Sequence, residues 1–158
     1  MAKGYWLFKS EPESFSIQDL ADSPDQTTCW EGVRNYQARN LLRDEVKVGD
    51  GVLFYYSSVT PMGVVGVCEV VKAGYPDATA RNPESIYYDP KASPENPRWY
   101  AVDVKLRKQF AGVITLAVLK TTPSLEEMMV CRQGARLSIQ PVTPAQWQIV
   151  LRLASKLK

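Results

Sequence analysis

Residues 50–74, DGVLFYYSSVTPMGVVGVCEVVKAG, hold two runs rich in Val, Phe and Tyr on either side of the break SVTP. Both runs are apolar at successive rather than alternate positions, the pattern of strands covered on two faces. They are read as neighbouring, well-buried strands. Gly63 and Gly66 inside the second run mark a bulge or a close approach of another backbone.

Upstream, GYWLFKS (4–10) reads as a short first strand. It leads into a helix start at which Ser16 caps with Asp19 three residues on, and Phe15 and Leu20 have the spacing of a hydrophobic staple. In NYQARNLLRDEV (35–46), Asn35 is an N-cap. Ala38, Leu41 and Leu42 form the packed face, and Arg39 and Arg43 share the opposite one. Downstream, RWYAVDVKLRKQF (98–110) alternates as a half-exposed strand, with Tyr100, Val102, Val104 and Leu106 on one side. SLEEMM has the form of a capping box, Ser124 with Glu127. Thr143 with Gln146 forms another, ahead of a stripe of Trp147, Val150, Leu151, Ala154 and Leu157. Four or five strands with helices before and after them make an α+β fold around a strongly bent sheet or small barrel.

The 158 residues are 45% hydrophobic and 23% charged, the composition of one globular domain able to bury a core without staples. No apolar run approaches the ~18 residues of a membrane span, so no membrane partner is expected. The N-terminus has neither an apolar signal segment nor a cleavage site, which reads as mature protein in the cytoplasm, or in the nucleus of a eukaryote. Cys29, Cys68 and Cys131 form no CxxC pair and are read as free thiols, with no metal site and no cofactor. The absence of histidine removes the commonest general base and metal ligand. At a net charge of +2 the chain has no general basic field, so any nucleic-acid contact is local.

Chemistry-bearing residues concentrate in CWEGVRNYQARN (29–40). Trp30 before Gly32 and a helix cap is either an aromatic standing over a concavity, suited to a planar polar ligand, or a core tryptophan. Arg34, Arg39 and Arg43, with Lys9 nearby, are either phosphate contacts or a solvated face. KSEP (9–12) puts Lys9, Ser10 and Glu11 at a strand end. Alternation sends Tyr55 and Tyr56 to opposite faces, one to the core and the other toward a pocket, without saying which. The proline-rich stretch 77–98 has no periodicity and is a long, functional-looking loop, in which YYDPK (87–91) is either a flap or a surface turn. Trp6, Trp99 and Trp147 read as packing groups.

YWLFKSEPESFSIQDL, TTCWEGVRNYQARNLLR, VLFYYSS, GVVGVCEVV, YYDPK, NPRWYAVDV and LSIQPVTPAQW together resemble, in order, the EVE domain family. The likeness spans nearly the whole chain. It implies a PUA-like fold related to the YTH readers of methylated adenine, working as a stand-alone domain. It also implies a partner: DNA or RNA containing a modified base, flipped out into an aromatic-lined pocket. By position it makes Trp30 the stacking aromatic, with Lys9, Ser10, Arg34, Asn35, Tyr56 and Ser57 around the pocket or its rim. Tyr88 of the candidate flap joins them as a ligand-binding candidate.

Two other readings compete. A hydrolase acting on modified nucleosides would use Lys9 with Glu11, which share a face if both lie on the strand. A peptide-binding module would show an exposed apolar patch near Trp30 and the long loop. Oligomeric state is left open.

Overall fold

The computed structural model describes residues 3–134 and 136–157; Met1 and Ala2, part of the N-terminal reading, lie outside them. In chain order the strands are β1 (Tyr5–Ser10), β2 (Thr27–Trp30), β3 (Gly51–Tyr56), β4 (Gly63–Pro76), β5 (Tyr100–Thr115) and β6 (Ile139–Val142). The helices are α1 (Ile17–Ala21), α2 (Tyr36–Asn40, continued by a π-helical turn at Leu41–Glu45), α3 (Leu116–Thr121) and α4 (Pro144–Ser155).

The six strands form one sheet in the order β2-β5-β4-β3-β1-β6. Every pairing is antiparallel except β1 with β3, which runs parallel from Tyr5 beside Gly51 to Ser10 beside Tyr56. β4 and β5, of 14 and 16 residues, slip register at four places, and such bulges bend a sheet. The bend does not close a barrel: β2 and β6 remain its two edges. The close approach expected at two glycines is present. A Cβ on Gly63 would sit 2.2 Å from the Ile114 carbonyl oxygen, and one on Gly66 would sit 2.2 Å from Ile17 Cδ1.

Each face carries its own core. On one, Phe8, Trp30, Val52, Phe54 and Val104 meet Ile17 and Leu20 of α1 and Ala38 of α2. On the other, Leu7, Leu53, Tyr55 and Ile114 meet Leu119 of α3 and Trp147 and Val150 of α4. The capping residues do what their spacing requires. Ser16 and Thr143 each complete a reciprocal capping box, and Asn35 Oδ1 accepts from the Ala38 N–H at 2.9 Å. Ser124 does not start a helix. It takes a left-handed φ of 73° in a turn, and Thr115 caps α3 instead.

Asp50, buried at the start of β3, pins β1 to its parallel neighbour. Its carboxylate accepts from the Gly4 N–H, the Trp6 indole N–H and the Lys47 N–H, each at 2.9 Å. Asp50→Asn turns one acceptor into a donor facing those N–H groups. The expected cost is about 2 kcal/mol, read from the urea midpoint at unchanged slope.

Candidate nucleic-acid interface

The turn from β2 to α2 is built on Gly32 and on a buried carboxylate 45 residues away. Gly32 has φ +81°, and a Cβ there would lie 2.5 Å from the ring of Tyr87, so only glycine lets the long loop close over the turn. Asp77, fully enclosed, accepts from the Gly32 N–H at 2.8 Å, from Arg34 Nη1 at 3.1 Å, and from the Thr79 N–H and hydroxyl at 2.9 and 2.5 Å. Burial alone would raise its pKa. The bonds from the Thr79 hydroxyl, Gly32 and Arg34 outweigh that and hold it below the ordinary carboxylate value.

Arg34 spends its donors inside this clamp. Nε and Nη2 donate to the Tyr87 carbonyl at 3.2 and 2.7 Å, Nη2 also to the Thr79 hydroxyl, and Nη1 to the Val33 carbonyl and Asp77. Its guanidinium lies over the Tyr87 and Trp99 rings at 5.5 and 5.2 Å. A second clamp fixes the far end of the loop, where Asp89 accepts from the Trp99 indole, the Lys91 N–H and Arg98. Those bonds bring its pKa down to about 2. YYDPK is therefore a pinned turn with Tyr88 exposed on it.

The sequence candidates do not share one pocket. Ser10 is buried, with its hydroxyl on the Phe15 carbonyl at 2.6 Å. Tyr56, half-buried, accepts from the Ile17 N–H at 2.9 Å, while Tyr55 is the core member of the pair. Ser57 lies beside Ser10 through a backbone bond of 3.0 Å. Lys9 alternates onto the Leu7 and Tyr55 side of the sheet, away from Phe8 and Trp30, and burial lowers its pKa. Glu11 lies beyond the end of β1. Arg39 donates to the Arg98 carbonyl and Arg43 pairs with Asp44.

Trp30 lies in the core, 8% exposed, its ring 5.3 Å from Phe8 and edge-on to Phe54 at 5.4 Å. Among the described residues no buried side-chain nitrogen or oxygen lacks a partner, and the Trp30 indole N–H donates to none of them. That N–H therefore reaches the surface. Beside the turn is a hollow of about 440 Å³, walled by Asn35 and Gln37 of the α2 start and by Arg132, Gln133, Arg136 and Leu137 of the segment before β6. Leu137 packs against the cluster that contains Trp30, so the hollow lies over that core. A smaller depression of about 260 Å³, between Arg34, Ile86, Tyr88 and Trp99, flanks the other side of the turn.

A family model for the EVE domain matches residues 4–153. The chain belongs to the EVE domain family. Human thymocyte nuclear protein 1 is 42% identical over a 168-residue alignment that covers 96% of this chain and 74% of the human one. A crystal structure of a protein from Pseudomonas putida superposes with a TM-score of 0.89 at 45% identity, covering 95% of this chain and 99% of that one. The crystal structure of human THYN1 in complex with 5-methylcytosine-containing DNA superposes with a TM-score of 0.90 at 41% identity, covering 99% and 100%. These neighbours agree with the α+β, PUA-like fold.

Within this EVE domain, sequence reasoning found the turn and missed its partners. Asp77 and Tyr87 stand in a stretch without periodicity, and only the fold shows that they close on Gly32. Arg132 and Arg136 lie in an irregular segment with no pattern to single them out. No described helix is long and apolar enough to cross a membrane.

Proposed function

We propose that this protein is a non-catalytic binder of DNA carrying a modified base, and that it receives the base, turned out of its strand, in the hollow beside Asn35. The observation that carries the first statement is its likeness, over essentially the whole of both chains, to a human protein crystallised with 5-methylcytosine-containing DNA. Three features support the second. The hollow has the size of a small-ligand site, its lining offers amide groups able to read a base edge, and it overlies a core whose tryptophan keeps its indole N–H outward. Ser10, Tyr56 and Ser57 hold the ends of β1 and β3 together. Arg34 and Tyr88 line the smaller depression on the other side of the turn.

A methyl group buried on binding contributes about 0.8 kcal/mol, about fourfold in affinity. Larger discrimination requires polar groups that an unmodified base leaves unpaired. The test is a titration at low salt with matched oligonucleotides, DNA and RNA, single-stranded and duplex, containing cytosine, 5-methylcytosine, adenine or N6-methyladenine. The expected result is a preference of fourfold or more for one modified DNA, lost when Asn35 is replaced by Ala in a protein that stays folded. Equal affinity for every modified oligonucleotide and its control would overturn the reading.

A further inference from the structure

The hollow is uneven in its chemistry. Among the described residues no carboxylate lines it, and neither does an aromatic ring. Its outer wall is supplied by Arg132, Gln133, Gly134 and Arg136, and both arginines are exposed. Arg136 makes no ion pair or hydrogen bond among the described residues. Arg132 has only a 3.8 Å approach to Glu127, whose side chain is 87% exposed, and a pair so open to water holds its charge weakly. The arginines around the rest of the interface differ: Arg34 is tied to Asp77, Arg39 to the Arg98 carbonyl, Arg43 to Asp44 and Arg98 to Asp89. Two guanidiniums with open forks thus line one concavity together with the amides of Asn35 and Gln37.

We infer that Arg132 and Arg136 form a phosphate clamp that takes the phosphodiester of the same nucleotide whose base enters the hollow. A guanidinium presents parallel N–H donors that match the oxygens of a phosphate, and two of them exposed at one rim suit a phosphodiester. The clamp fixes the strand and leaves the choice of base to the groups inside the hollow. It rests on the reading of the hollow as the base site, and the experiment separates the two.

The measurement is the affinity for 5-methylcytosine duplex and its unmodified control at a series of salt concentrations. It is made for the wild type, Arg132→Gln, Arg136→Gln, the double variant, and Arg152→Gln on the exposed side of α4 as a control. Each phosphate contact adds about 0.9 to the slope of log affinity against log salt, so each clamp substitution makes the slope shallower by about 1 and the double variant by about 2. Both duplexes weaken by the same factor, the preference ratio stays as in the wild type, and Arg152→Gln changes nothing. Thermal melts confirm the fold, which these exposed positions leave intact. An unchanged slope in the double variant overturns the clamp, as does a changed preference ratio at constant slope. A wild type without base preference whose slope still falls in the variants overturns the base reading and keeps the phosphate contacts.

Discussion

Asp77→Ala is expected to lower the stability of the folded chain by about 3 kcal/mol, the low end for breaking a buried ion pair because Arg34 keeps some access to water. The carboxylate is enclosed, and its removal leaves the Gly32 and Thr79 N–H groups without their acceptor and the Arg34 charge without its partner. The loss should concentrate in the β2–α2 turn and the loop that covers it. Hydrogen exchange at Gly32 and Thr79 would then rise before that of β3 and β4. The same carboxylate sets a pH dependence. Its folded pKa lies below the unfolded value of about 3.9, so its contribution is complete above that value and is lost as pH falls through the folded one. Asp89, held near 2 by the Trp99 indole and the Lys91 N–H, acts in the same direction. An acid titration followed by circular dichroism should show stability falling below about pH 4, with a shallower fall in Asp77→Ala. Equal acid limbs in the two proteins would exclude Asp77 as its source.

Trp30→Ala is expected to cost about 4 kcal/mol, the range for emptying an aromatic from a packed core. For a chain of this size that lowers the melting midpoint by about 10 °C. The ring bridges Phe8 of β1 and Phe54 of β3 from the edge strand β2, so its removal opens a cavity where three strands meet. A loss of DNA binding in this variant would follow from unfolding as readily as from a lost contact. Trp30→Phe keeps an aromatic ring in the core while deleting the indole N–H and part of the fused ring, a smaller cavity than Ala leaves. Weaker preference for the modified base in Trp30→Phe, at near-native stability, would place that N–H at the ligand. Undiminished binding would leave Trp30 a purely structural group.

Helix starts were legible because capping is local: Ser16, Asn35 and Thr143 each lie three residues from their partners. The central strands were legible because continuous apolar runs have few alternatives. β2 and β6 were missed, being four residues each, and β6 contains Pro141, which an edge position tolerates where a central one would not. α3 was missed because its residues continue the apolar character of β5 without a break. In the candidate site, the sequence marked Trp30 and Asn35 as unusual but assigned Arg34 an outward charge. Its actual role depends on Asp77, Thr79 and Tyr87, contacts between distant residues that no local pattern encodes.

The position of β1 between β3 and β6 has a consequence for biosynthesis. β1 leaves the ribosome before both of its neighbours, β3 made about 45 residues later and β6 made after every other strand of the sheet. While translation continues, one backbone edge of β1 stays unpaired and available to neighbouring nascent chains. A stalled chain ending before Ile139 should therefore depend on holdase chaperones, and release of β6 with α4 should coincide with the acquisition of protease resistance in this domain.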